Sequence, residues 1–263
     1  MKNKLLVIIT ALVLLNGCKV HDRIDYTKYE IKAKNLSLEA VNSYPQKIIR
    51  IKQKDTIYKI TLKTFNAYYD SLKRVIAERD TFDANYVYNK EIAKYLEETE
   101  LIQSNTASII QITDTLFGES KNTLQIIYKG LKFVSEFIEF DDSLANEISK
   151  GNSRTLDVNT ILKRKKGTCS EYTNLFIALM RKKGIPCRFI TGYIFMPENG
   201  FQGFHAWAEC YIKNYGWLAV DPQNAFYWLP ESAIKLFYGK DFIDCNVKTL
   251  PEIEPIEVKK IKT

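Results

Sequence analysis

The chain has 263 residues, 26% of them charged, and a formal net charge of +7. Lys and Arg are interspersed with Asp and Glu and no nucleic-acid-binding motif accompanies them, so nucleic acid is not expected as a partner. The chain has only two histidines, no cluster of His, Cys or carboxylates with metal-ligand spacing, and no Gly-rich phosphate loop. Neither a metal nor another cofactor is therefore expected.

The first segment predicts export. A short positive region precedes an apolar run from Leu5 to Leu15, which is shorter than a membrane-spanning helix requires. The Leu-Asn-Gly-Cys sequence that follows resembles a lipobox, in which Cys18 is lipidated and becomes the first mature residue. Asn16 departs from the usual small residue, so cleavage elsewhere or an uncleaved anchor is the alternative. Residues 1–18 are expected to be a lipoprotein signal peptide that leaves the protein anchored to a bacterial cell-envelope membrane through a polar tether.

The leader, residues 19–98, carries weaker signals than the middle of the chain. Ile48 to Leu62 alternates apolar and polar side chains around a polar turn, which predicts a β-hairpin. Residues 65–80 favour a helix, and residues 81–100 are ambiguous. The leader is compatible with a small separate domain or with an extension packed on the core. Residues 241–263 are a C-terminal tail, which is predicted to be extended or frayed from Leu250 onward.

A helix is predicted to start directly after Thr168, which forms a capping box with Glu171. Cys169 is then the first helical residue, where unpaired backbone N–H groups and the helix dipole favour the thiolate. Gly184 provides the C-terminal cap, and Pro186 prevents continuation. The residues with the spacing of one buried stripe are Tyr172, Leu175, Phe176, Leu179 and Met180.

Three strands are predicted after this helix, over residues 185–195, 205–212 and 217–221. His205 begins the second strand and Asp221 ends the third. A connection of three or five residues, or a bulge, puts Asp221 on the same face as His205, as its diagonal neighbour. A regular four-residue loop puts it on the opposite face.

Cys169, His205 and Asp221 are the parts of a thiol-based catalytic triad. The sulfur attacks, the imidazole handles its proton, and the carboxylate orients the imidazole. The other histidine, His21, falls in the expected tether. The alternative is that all three residues are structural. The other cysteines, taken as small buried hydrophobes with no specified disulfide, are Cys187, Cys210 and Cys245.

Several separated motifs resemble the transglutaminase-like superfamily, whose members share a papain-like core. They occur in the family's order: G-T-C at 167–169, G-I-P-C-R at 184–188, T-G-Y at 191–193, H-A-W-A-E at 205–209 and D-P at 221–222. Upstream, residues 122–140 resemble the helix and short extended segment that precede the nucleophile in that family. The resemblance covers residues 99–235 and implies acyl transfer through a thioester, with Cys169, His205 and Asp221 in the catalytic roles. It implies structural roles for Trp207 and Glu209.

The sequence therefore predicts an α+β chain with a papain-like catalytic domain at residues 99–240, helices first and an antiparallel sheet after them. The preferred function is hydrolysis of a protein, peptide or cell-surface amide, with transfer to an amine left open. The competing class is a non-catalytic envelope binding module, in which bulky side chains would plug the thiol. The basic runs at 163–166 and 181–183 are interpreted as solvated faces, or as groups that favour the thiolate or attract an acidic substrate.

Overall fold

A computed structural model describes residues 25–34, 36–150, 154–196, 201–245 and 257–261. The predicted export signal, the lipidation site Cys18 and His21 lie outside these residues. Within the described part of the chain, no helix combines the length and the apolar character needed to cross a membrane.

The chain begins with small strands and helices, continues with a helical region, and ends with an antiparallel sheet. The helices are α1 (Leu38–Val41), α2 (Ser71–Arg79), α3 (Lys90–Ala93), α4 (Ala107–Phe117), α5 (Thr123–Phe137), α6 (Asp142–Ser149), α7 (Val158–Arg164) and α8 (Cys169–Lys183). The strands are β1 (Thr27–Lys34), β2 (Lys47–Lys54), β3 (Ile57–Thr64), β4 (Glu139–Phe140), β5 (Lys166–Gly167), β6 (Cys187–Met196), β7 (Phe201–Ile212), β8 (Gly216–Asp221), β9 (Phe226–Tyr227), β10 (Ala233–Gly239) and β11 (Glu257–Ile261). The α+β class predicted from the sequence is confirmed.

Helix α8 is the centre of the core. It packs against β6 and β7 and against helices α4, α5 and α7. Every residue from Ser170 to Arg181 is buried. The predicted apolar stripe is therefore buried, but so are the other faces of the helix. Full burial of one large apolar side chain contributes about 1.5–3 kcal/mol. Gly184, with φ of 93°, ends the helix in the left-handed conformation, as predicted.

The main sheet has the strand order β10-β6-β7-β8-β9, and all neighbours are antiparallel. The three strands predicted from the sequence are β6, β7 and β8. Strand β7 starts at Phe201, earlier than predicted, because residues 201–204 continue the pairing with β6 as far as Met196. The helix and short extended segment expected at 122–140 are α5 and β4, and β4 pairs in parallel with β5 just before Cys169.

The leader forms a second sheet with the order β11-β1-β3-β2. The predicted hairpin is confirmed as β2 and β3. The helix expected at 65–80 divides into a 3-10 turn at Ala67–Tyr69 and helix α2, with Asp70 capping the latter. Part of the tail is extended and returns to this sheet, since Ile261 pairs with Lys28 of β1.

One buried glutamine joins the leader to the main sheet. The Gln46 amide nitrogen donates to the carbonyl oxygens of Val41 and Lys235, at 3.1 and 3.2 Å. The backbone N–H of Lys235, on β10, donates to the Gln46 Oε1 atom at 2.6 Å. Because β10 pairs with β6, these bonds fix the leader directly onto the sheet that follows helix α8.

Candidate active site

Cys169 is the first residue of α8 and is partly exposed. The capping box predicted for Thr168 and Glu171 is present. The Glu171 Oε2 atom accepts from the Thr168 N–H and hydroxyl, at 2.7 and 2.8 Å. As a residue at the first helical position, Cys169 has a backbone N–H with no intrahelical acceptor. The sulfur thus lies beside a free backbone donor at the end of a rigid helix.

Glu171 also ties this helix start to the segment before α7. Its second carboxylate oxygen accepts from the Thr155 hydroxyl at 3.0 Å and the Leu156 N–H at 2.8 Å. The carboxylate lies so close under the chain that a Cβ on Gly167 would be 2.2 Å from the Glu171 Cβ. Any side chain at 167 would displace Glu171 and, with it, the support of Cys169. This contact explains the glycine of the G-T-C motif.

The hairpin from β7 to β8 puts the predicted base and acid on one face. Ile212 pairs with Gly216, so the connection holds three residues, and this register sets position 221 opposite position 207. The condition that the sequence imposed on the triad, a connection of odd length, is met. The His205 Nε2 and Asp221 Oδ2 atoms are 2.9 Å apart, and both side chains are buried.

Asp221 has further donors that the sequence prediction missed. The Asn224 amide nitrogen donates to Oδ2 at 2.8 Å, and the backbone N–H groups of Gln223 and Asn224 donate to Oδ1 at 3.0 and 3.3 Å. Burial would raise the pKa of Asp221, but the hydrogen bonds from His205 and Asn224 outweigh it and lower that pKa. The D-P-Q-N turn was a usable signal, because aspartate often accepts from backbone N–H groups two and three residues later.

Cys169 and His205 line the same cavity, and Cys169 is one of the groups that change the pKa of His205. Burial alone lowers the pKa of the His205 imidazole. The hydrogen bond to Asp221, followed by the hydrogen bond and charge attraction to Cys169, outweighs burial and raises that pKa to about 10. At neutral pH the imidazole is therefore protonated. Because Nε2 is engaged by Asp221, Nδ1 is the ring nitrogen left for the sulfur.

The side chains after His205 on the same face form a structural support. The Trp207 ring is buried and stacks on the His205 ring, with centroids 6.4 Å apart. Buried Glu209 accepts from Arg188 Nε at 2.8 Å and also contacts the Lys235 ammonium. The Arg188 guanidinium lies over the ring of Trp217, 4.2 Å from its centroid. Neither Trp207 nor Glu209 lines the cavity at Cys169.

The basic runs differ from each other. Residues 163–166 are exposed, and two of them have acidic partners: Arg164 with Asp141 at 2.9 Å and Lys166 with Glu139 at 3.1 Å. Arg181 is buried and donates to the Cys187 carbonyl, so it does not belong to a solvated face. Arg164 and Lys166 are thus already paired with acidic side chains, and Arg181 has a structural role.

The remaining cysteines in the described part of the chain are buried free thiols. Cys187 and Cys210 face each other across β6 and β7, with their sulfur atoms 3.5 Å apart. Burial raises the pKa of the Cys210 and Cys245 thiols well above the usual range. Cys169 is thus the accessible thiol among the described residues.

Comparison with known proteins identifies a matching family model and a similar fold. Residues 110–222 match the family model described as the transglutaminase-like superfamily. The structure resembles that of a putative cysteine protease from Cytophaga hutchinsonii, with a TM-score of 0.63 and 18% identity over 91% of this chain and 92% of that one. The likeness shows a shared fold.

Other similarities cover smaller parts of the chain. The periplasmic domain of TgpA from Pseudomonas aeruginosa has a TM-score of 0.48 and 14% identity, over 77% of this chain and 71% of that one. An uncharacterized protein of Mycobacterium leprae is 28% identical over 85 residues, which are 30% of this chain and 29% of that protein. The chain therefore spans less than a third of the length of that curated relative.

Proposed function

We propose that the chain is a thiol enzyme that cleaves amides and a member of the transglutaminase-like superfamily, whose family model matches residues 110–222. The observation that carries the proposal is that Cys169 and His205 share the wall of one open cavity, while buried Asp221 lies 2.9 Å from the His205 ring. A thiol, an imidazole with a raised pKa and an ionised acid in this order are the parts of nucleophilic acyl transfer.

In the first half of the reaction, the Cys169 thiolate attacks the substrate carbonyl carbon and the electron pair of the C=O bond moves to oxygen. The free N–H of Cys169 donates to this oxyanion. When the oxyanion collapses, the C–N bond breaks and the His205 imidazolium gives its Nδ1 proton to the departing amine. A thioester on Cys169 and a neutral imidazole remain, while Asp221 keeps the ring oriented.

In the second half, His205 takes a proton from the incoming water, whose oxygen attacks the thioester. The tetrahedral adduct expels the Cys169 thiolate, which restores the thiolate and imidazolium pair and releases an acid. Hydrolysis is preferred over transfer to an amine because the partly exposed sulfur lines an open cavity that water can enter. Mass spectrometry of the products, formed with and without an added primary amine, tests the preference. A free acid in both reactions supports hydrolysis, and a new amide in the second supports transfer.

The alternative of a non-catalytic binding module requires a thiol blocked by bulky side chains. We expect iodoacetamide at pH ~6 to alkylate Cys169 in preference to the other cysteines of the folded protein. At this pH ordinary thiols, which have a pKa near 8.5, stay protonated and react slowly. Cys187, Cys210 and Cys245 should react only after unfolding, because they are buried. Peptide mapping by mass spectrometry checks both expectations. Preferential labelling of Cys187 or Cys210 in the native protein would favour the binding module.

Turnover should fall as the pH rises through the pKa of His205, because the departing amine needs the proton of the imidazolium. That pKa is raised from 6.5 to about 10. The protonated ring and the stability that it contributes are therefore fully present below pH 6.5 and lost as the pH rises through about 10. Asp221→Asn removes the largest raising contribution, so the alkaline limb of kcat/KM should move down by about one pH unit or more. An unmoved limb in this variant would contradict the assigned pair.

We also propose that the protein is exported and lipid-anchored, since the Leu5–Leu15 run and Cys18 favour it. Intact-mass analysis of protein extracted from membranes should show an acylated N-terminal Cys18. Cys18→Ala should move the protein to the soluble fraction or leave it unprocessed. A soluble mature protein starting downstream of residue 18 would refute the anchor.

A further inference from the structure

The cavity at Cys169 has apolar walls. Its volume is about 100 Å³, and the apolar side chains that line it include Ile148, Phe204 and Phe242. These side chains are only half-buried, so they present apolar surface to whatever enters. Apolar walls around a few polar groups are typical of sites that bind a specific ligand.

The two aromatic walls are held in place by other rings. Phe242 meets Phe189 edge-to-face, with ring centroids 6.1 Å apart, and Phe204 meets Tyr193 in the same way at 5.8 Å. Phe189 is fully buried. The walls therefore have fixed positions before a ligand arrives, which lowers the ordering cost of binding.

The rest of the cavity wall offers a ligand few polar groups. Thr191 contributes to the wall, but its side-chain oxygen is buried and lies near the Cys245 thiol. The Thr191 hydroxyl is therefore not presented to a substrate.

The cationic side chain in the cavity wall has an acidic partner. Arg154 is the cation among the described lining residues outside the triad, and its guanidinium lies 2.8 Å from the Glu147 carboxylate. A substrate carboxylate would have to compete with Glu147, and a substrate cation would meet Arg154. A carboxamide such as glutamine's would meet mainly apolar carbon.

We propose, on the basis of the function proposed above, that this cavity selects peptide acyl donors with a bulky apolar side chain within two residues of the reacting carbonyl. The side chain enters between Ile148, Phe204 and Phe242. Glutamine and charged donors are disfavoured because their polar groups would be buried without adequate partners.

Peptidyl acyloxymethyl ketones test this selectivity, because their label on Cys169 can be followed without a known natural substrate. Each of the two residues before the reactive carbonyl is varied among Leu, Asn, Gln, Glu and Lys; Leu and Asn are of similar size. At one of the two positions, Leu should label Cys169 at least ~10-fold faster than Asn, judged by kinact/KI. Equal rates for Leu and Asn at both positions would overturn the proposal while leaving the thiol enzyme intact.

Variants of the walls provide the controls. Phe242→Ala should reduce the Leu-to-Asn ratio several-fold through KI, and Phe242→Leu serves if the alanine variant does not fold. The peptide rates of each variant are divided by its iodoacetamide rate, which separates a change in selectivity from a change in access to Cys169. Leu72→Ala, at an exposed side chain on α2, should change neither rate. Iodoacetamide labelling without any peptide labelling would refute the proposed function itself, and this inference with it.

Discussion

Replacing Cys169 with alanine is expected to abolish turnover, and His205→Ala should do nearly the same. Removing one member of a catalytic triad costs roughly 10³–10⁶-fold in kcat, and the other histidine of the chain lies at position 21, outside the described core. Because the sulfur and the imidazole act together, the double variant should be no worse than Cys169→Ala alone. Steady-state kinetics on a cleaved peptide measures all three.

Two checks make this result decisive. Cys245→Ala removes a buried thiol and should keep full kcat. This control separates the loss of the nucleophile from the general effect of removing a cysteine. Thermal unfolding should show that Cys169→Ala stays folded, because that side chain is only partly buried. Full activity in a folded Cys169→Ala variant would end the catalytic interpretation.

Replacing Glu209 with alanine is expected to have the largest effect on stability. Glu209 is 1% exposed and neutralises the buried cations of Arg188 and Lys235. Removing one member of a buried ionic cluster leaves the others uncompensated and typically costs about 3–5 kcal/mol. Urea unfolding measures the loss, and Glu257→Ala, at the exposed partner of Lys32, should leave the midpoint unchanged.

The cause of that loss can be separated from simple loss of packing. Burial would raise the pKa of Glu209, but Lys235 and Arg188 outweigh it and lower that pKa. Its contribution to stability is thus present at neutral pH and lost as the pH falls through the lowered value. Replacing the three charged residues together by apolar ones of similar volume should recover most of the stability. A loss that persists in this triple variant would instead indicate a packing defect.

Local chemistry was enough to predict the parts that carry the site. The capping box predicted the start of α8, the G-I-P motif predicted its end, and alternation predicted that Asp221 ends β8. Alternation also put His205 on β7, but not as its first residue, because the strand starts at Phe201. Local patterns could not show that α8 is buried all round, because some of its polar side chains bond to partners that are distant in sequence. The side-chain nitrogen of Asn174, for example, donates to the Thr155 hydroxyl and the Leu156 carbonyl.

Long-range pairing was also beyond the sequence patterns. Nothing near Lys28 indicates that its strand pairs with Ile261, more than two hundred residues away. The ionic cluster had a partial signal, since Arg188 and Glu209 occupy directly opposed positions on β6 and β7. Placing Lys235 beside them required the position of β10, which the sequence analysis did not predict.

The short connection between β7 and β8 limits how this part of the chain can evolve. Its three residues, 213–215, are followed by Gly216, whose φ of 100° suits glycine. Adding one residue there would shift the register and rotate Asp221 away from His205 without altering either residue. Length changes in this hairpin are therefore tolerated only in pairs, or where a bulge absorbs the extra residue. A single inserted codon here would act as an inactivating mutation, whereas two would be nearly silent.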